Sequence, residues 1–150
     1  MTRTTARRLA MQLSFALSAG SDLDPEAFFE EEYFHALPAE DGMFDELPDE
    51  KQKSYILSLV NGIREHRQEL DDIISAYSLR WKVSRISRTA AAVLRCALYE
   101  ILYMPDIPDA AAINEAVELA KSFDEPETVS YINGILGAFM RDRDPAETTE

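Results

Sequence analysis

The sequence predicts an all-α protein, and two observations carry that expectation. Apolar residues recur at a spacing near 3.6 along most of its 150 residues, and no segment alternates apolar with polar as a half-buried strand would. Capping and breaking residues then fall between the periodic runs, as helix ends require.

In the first run, Ala6, Ala10, Leu13 and Leu17 line one helical face, and Gly20 suits a left-handed C-terminal cap. Asp24-Pro25 supplies an N-cap followed by proline at the first helical position. Residues 36–50, with Pro38, Gly42 and Pro48, read as a loop. Two further runs follow the i, i+3, i+4, i+7 pattern: Ile56, Leu59, Val60, Ile63 and Leu70, Ile73, Ile74, Tyr77.

Ala90, Val93, Leu94, Ala97, Leu98, Ile101 and Leu102 keep that rhythm for three turns. They predict a central helix buried on most of one side, capped by Ser87 and stopped at Met104-Pro105. Asp109 is the candidate cap of the next helix, which carries Ile113, Ala116, Val117 and Ala120. Asn114 and Glu115 read as its first-turn residues, satisfying free backbone N–H groups. The last run is Ile132, Ile135, Leu136, Phe139 and Met140. It contains Asn133-Gly134, ordinarily a hairpin signal, but the flanking period is helical and decides for helix. Gly134 and Gly137 then cost about 1 kcal/mol each relative to alanine, which a close backbone neighbour would explain. Residues 144–150 should fray. The expectation is about seven helices in two packed three-helix bundles: one domain over 1–143, with subdomains of about 1–80 and 81–143.

Net charge is −13, which at face value argues against a polyanionic partner. The charge is unevenly spread. Residues 1–17 carry +3 from Arg3, Arg7 and Arg8, residues 21–50 carry −12 with no Lys or Arg, and the rest carries −4. A second basic zone over 73–99 holds Arg80, Lys82, Arg85, Arg88 and Arg95 without a carboxylate. The chain shows neither an apolar run approaching a membrane span nor the h-region of a leader, so the expected location is cytoplasmic.

Catalytic chemistry finds no foothold. The single cysteine, Cys96, lies in an apolar stretch and reads as a small buried hydrophobe. His35 and His66 read as exposed helix residues with no ligand partners at metal spacing. The five glycines are scattered, which excludes a phosphate-binding loop and a dinucleotide fingerprint. Asp71-Asp72 and Glu30-Glu31-Glu32 read as solvated faces, and Glu115-x-x-Glu118 lacks the histidine of a di-metal bundle. No enzyme, metal or cofactor is expected.

The arginine-bearing first helix also carries Gln12 and Phe15. Guanidinium groups can hold phosphates bidentately while an aromatic face accepts an unstacked base. Further on come Val93-Leu94-Arg95, Tyr99-Glu100-Ile101-Leu102, Ile107-Pro108, the run from Ala112 to Phe123, and Tyr131-Ile132-Asn133-Gly134-Ile135-Leu136. In this order they resemble the C-terminal signature of the NusB family. Ala6-Arg7, Gln12, Phe15, Val60-Asn61-Gly62-Ile63 and Trp81 extend the resemblance over nearly the whole chain.

The resemblance implies a helical fold of two three-helix bundles without a cofactor. It also implies binding to single-stranded boxA RNA of ribosomal operons together with a small-subunit ribosomal protein in the NusE role, acting on the RNA polymerase elongation complex. The implied RNA residues are Arg3, Arg7, Arg8, Gln12, Phe15, Phe123, Ser130, Tyr131 and Asn133. Phe123 and Tyr131 also fit a packing role. Arg85, Arg88 and Ala90 are the implied partner-facing residues, although Ala90-Ala91 stands where the family commonly has an Asp-Arg pair. An alternative is a protein-binding adaptor or homodimer with weak or occluded RNA binding. The fold also resembles the RNA-binding domain of rRNA cytosine methyltransferases, but 150 residues leave no room for their Rossmann domain.

Overall fold

The structure, a computed structural model, describes residues 2–18, 48–78, 88–122 and 126–143, with the side chains of 15–18 excepted. Six α-helices span the described residues: α1 (Arg3–Ser18), α2 (Glu50–Glu65), α3 (Arg67–Tyr77), α4 (Arg88–Tyr103), α5 (Asp109–Lys121) and α6 (Pro126–Arg143). The all-α expectation holds. The helix expected to open at Asp24-Pro25, the Gly20 and Ser87 caps, His35 and Trp81 lie outside the described residues, as does the tail 144–150.

The chain divides into two compact units, 1–65 and 66–150. In the first, α1 packs on α2. Ala6, Leu9, Ala10 and Leu13 of α1 are buried, as are Ile56, Leu59, Val60 and Ile63 of α2, matching the periodic reading. Both helices begin with side chains that satisfy free backbone donors. The Thr5 N–H donates to Thr2 Oγ1 at 3.1 Å. At α2 the exchange is reciprocal: the Gln52 N–H donates to Asp49 Oδ1 at 2.8 Å, and the Asp49 N–H donates to Gln52 Oε1 at 3.0 Å. This is a capping box, encoded locally by Asp49-x-x-Gln52 and independent of the apolar spacing.

In the second unit, α4 packs against α3, α5 and α6. Residues 90–98 of α4 are buried without interruption, so this helix is enclosed all round rather than on one side. Its small residues (Ala90, Ala91, Ala92, Cys96, Ala97) permit that enclosure, because helices approach most closely where side chains are short. Cys96 is buried, as expected. The helix ends at Tyr103 before Pro105, and Arg143 Nη1 on α6 donates to the Ile101 carbonyl at 2.9 Å, satisfying an acceptor in the last turn.

Several local readings need correction. The residue before α5 is Pro108, and no side-chain cap bond forms there. Asp109 is instead the first helical residue, where its carboxylate favours the positive end of the helix dipole. Asn114 and Glu115 lie in mid-helix rather than in a first turn. α6 runs unbroken through Asn133-Gly134, as the helical period required. However, a Cβ at Gly134 would meet nothing within 4 Å, and one at Gly137 would meet only the end of the Arg141 side chain. Among the described residues, neither glycine marks a close backbone approach.

Candidate nucleic-acid interface

Helix α1 carries arginines and no acid in either end turn. Arg3 is exposed and Arg8 and Gln12 are half-buried, whereas Arg7 is only 3% exposed. Arg7 precedes Ala10 by three residues and Ser14 by seven, so it shares their buried face, and its guanidinium is part of the interior rather than of an open cationic surface. The side chain of Phe15 lies outside the described residues.

At the other end of the sequence, α6 opens with Pro126 at its first position, where the missing N–H costs nothing. Ser130 and Asn133 are exposed on it. With Asn114, Glu118 and Lys121 of α5 they line a groove of about 530 Å³. Lys121 Nζ and Glu118 Oε1 are 2.9 Å apart on its α5 wall, and Val117, Pro126 and Val129 complete the lining, so the groove is about half apolar and not strongly cationic. Tyr131 is half-buried, and its hydroxyl shares a hydrogen bond with that of Ser78 at the end of α3. Phe123 lies outside the described residues.

The expected partner-facing residues differ among themselves. Arg88 is exposed at the first position of α4, while Ala90 is fully buried and presents no side chain to a partner. Arg85 lies outside the described residues.

Sequence reading missed a set of polar contacts within the second unit. Arg95 is buried and paired with Asp71, which also accepts from Arg67 Nε at 3.2 Å. Arg95 therefore does not belong to an open basic zone, and Asp71 is not simply part of a solvated face. His66, expected on an exposed helix surface, forms the one-residue turn between α2 and α3. It is half-buried and stacks on Tyr103 with ring centroids 4.3 Å apart. Tyr103 in turn donates to Glu69 Oε1, and Tyr77 donates to Asp142 Oδ2 at 2.8 Å. Each bond to a carboxylate holds its phenol's pKa above the ordinary value, because ionisation would lose the donor and place two negative charges side by side. The arginine inside an otherwise apolar run from Ala90 to Leu98 was the signal in the sequence that this buried contact existed.

No group of three or more His, Cys, Asp or Glu side chains among the described residues could hold a metal. No helix among them is long and apolar enough to cross a membrane.

The family model of NusB matches residues 4–141. The chain belongs to the NusB family. The transcription antitermination protein NusB of Alkaliphilus oremlandii is 37% identical to it over 140 residues, covering 93% of this chain and 94% of that protein. Its counterpart in Acetivibrio thermocellus is 39% identical over 141 residues, covering 94% and 90%. Among solved structures, NusB of T. maritima matches with a TM-score of 0.74 at 32% identity, over 92% of this chain and 89% of that one. A chain from a complex of the antitermination factors NusB and NusE with dsRNA shares the fold, with a TM-score of 0.72 at 19% identity over 91% and 93%. Both relatives are transcription antitermination proteins. The family match covers α1 from residue 4 and α6 as far as residue 141.

Proposed function

We propose that this protein is a cytoplasmic transcription antitermination factor. In this reading it binds boxA-type RNA of ribosomal operons together with a small-subunit ribosomal protein in the NusE role, and the complex acts on elongating RNA polymerase. The observation that carries the reading is family membership over residues 4–141. It is supported by relatives of 37% and 39% identity that are antitermination proteins, and by a chain of the same fold solved in a complex of NusB and NusE with dsRNA.

In this reading the exposed Arg3 and half-buried Arg8 hold phosphates, and Gln12 contributes a hydrogen bond. Phe15, Phe123 and Tyr131 stack on unpaired bases, while Ser130 and Asn133 reach base or sugar edges. Arg7, being buried, serves α1 itself and acts on RNA only by keeping that helix in place. Arg88 and Arg85 face the ribosomal protein, and Ala90, being buried, contributes no side-chain contact to it.

The test is fluorescence anisotropy with a boxA-like RNA, with and without the ribosomal protein, at several salt concentrations. The two phosphate contacts of Arg3 and Arg8 give a log–log salt slope of roughly −1.4. Arg3→Ala/Arg8→Ala weakens binding and flattens the slope by about 0.7 per lost contact while helix content is unchanged. Unchanged affinity and slope would remove α1 from the RNA surface. A stable homodimer in light scattering, combined with no RNA binding in either condition, would replace the reading with that of a protein-binding adaptor.

A further inference from the structure

Ser78 is the residue on which α3 ends, at φ −90° and ψ 91°, and its own N–H is taken by the Ser75 carbonyl. Its hydroxyl meets the Tyr131 hydroxyl. The preceding residue, Tyr77, donates to Asp142 and sets its ring edge-on to Phe139, with centroids 5.9 Å apart and planes at 81°. The last residue of α3 and the one that follows it thus grip α6 at positions 142 and 131, which lie about three turns apart on one face. Tyr77 secures the helix, and Ser78 secures one ring on it.

We propose that Ser78 is a positioning residue for RNA binding: its hydroxyl fixes the Tyr131 ring in one orientation, ready to stack on an unpaired base. The proposal rests on the reading of Tyr131 as a base-stacking residue. A tyrosine projecting from a helix retains freedom about two side-chain torsions, and a stacked complex must remove it. A hydrogen bond at the ring's far end removes that freedom during folding, so the binding step no longer carries the ordering cost. The hydroxyl lies at the edge of the ring, so this anchoring bond does not occupy the face on which a base stacks.

The test titrates the full chain with a boxA-like single-stranded RNA, comparing wild type with Ser78→Ala, Tyr131→Phe, the double variant, Ser78→Thr and Tyr131→Ala. Ser78→Ala and Tyr131→Phe should each weaken binding about two- to tenfold. The double variant should be no weaker than either single one, because both remove the same bond. Ser78→Thr, which keeps a hydroxyl, should recover most of the loss. The salt slope should stay at the wild-type value in every case, since no phosphate contact is touched. If Ser78→Ala misfolds, Tyr131→Phe still reports on the bond, because it keeps the ring and deletes only the hydroxyl. Wild-type affinity in Ser78→Ala and Tyr131→Phe together with a loss in Tyr131→Ala would overturn the positioning role and leave the stacking role standing. Wild-type affinity in Tyr131→Ala would overturn both, and additive losses in the double variant would show that the two residues act independently.

Discussion

Arg95 on α4 donates from Nε to Oδ1 of Asp71 on α3 at 2.7 Å, with the arginine side chain 10% and the carboxylate 26% exposed. The pair joins two helices of the second unit through a region that is otherwise apolar on the α4 side, where an unmatched guanidinium would be costly to bury.

Removing the carboxylate should therefore hurt more than removing a surface ion pair. Asp71→Ala is expected to lower unfolding free energy by about 2 kcal/mol, below the full buried-pair value because Asp71 is partly solvated. Arg67→Ala, which removes the exposed i,i+4 partner, should cost no more than about 0.5 kcal/mol. Urea denaturation checks both, and equal effects would mean that the buried contact carries no special weight.

The capping box at the start of α2 gives a second expectation. Asp49→Ala should destabilise the protein by about 1 kcal/mol, while Asp49→Ser, which still accepts from the Gln52 N–H, should lose only a fraction of that. Thermal unfolding followed by circular dichroism separates the two.

Gly134 should be improvable. It is exposed in mid-helix with open space where a Cβ would stand, so Gly134→Ala is expected to stabilise α6 by about 0.5–1 kcal/mol. A lower thermal midpoint would reveal a neighbour that crowds the position.

The tyrosine–carboxylate bonds make stability fall at high pH. Tyr103 and Tyr77 have folded-state pKa values raised above the ordinary 10.0, chiefly by their hydrogen bonds to Glu69 and Asp142. The protonated phenol is the form that makes the bond, so its contribution is complete below about pH 10 and disappears as pH rises through the folded-state value. The difference in stability between wild type and Tyr103→Phe should thus be constant from neutral pH to about 10 and vanish above it. Tyrosinate absorbance should show a late-titrating component that Tyr103→Phe and Tyr77→Phe each reduce.

Much of this architecture could be read from spacing. The buried faces of α2 and α6 follow the 3.6 period because these helices have one side to bury, and the period reports which side. For α4 the same signal understated burial, since alanines off the predicted stripe are compatible with either a solvent face or a tight helix contact. Arg95–Asp71 and Ser78–Tyr131 join residues 24 and 53 positions apart, and no local pattern encodes such pairs. The proposed interface was partly legible. Arg3 and Arg8 were placed on an arginine-bearing helix by composition alone, but Arg7 was grouped with them although its register with Ala10 and Ser14 already put it on the inner face.

The uninterrupted enclosure of α4 from residue 90 to 98 also provides a built-in probe. Cys96 is the only thiol in the protein and sits in the middle of that stretch, so a thiol reagent can modify it only when α4 is transiently uncovered. Its labelling rate, followed over increasing denaturant, therefore clocks the opening of the central helix without any introduced reporter, and every chain carries a single, unambiguous label.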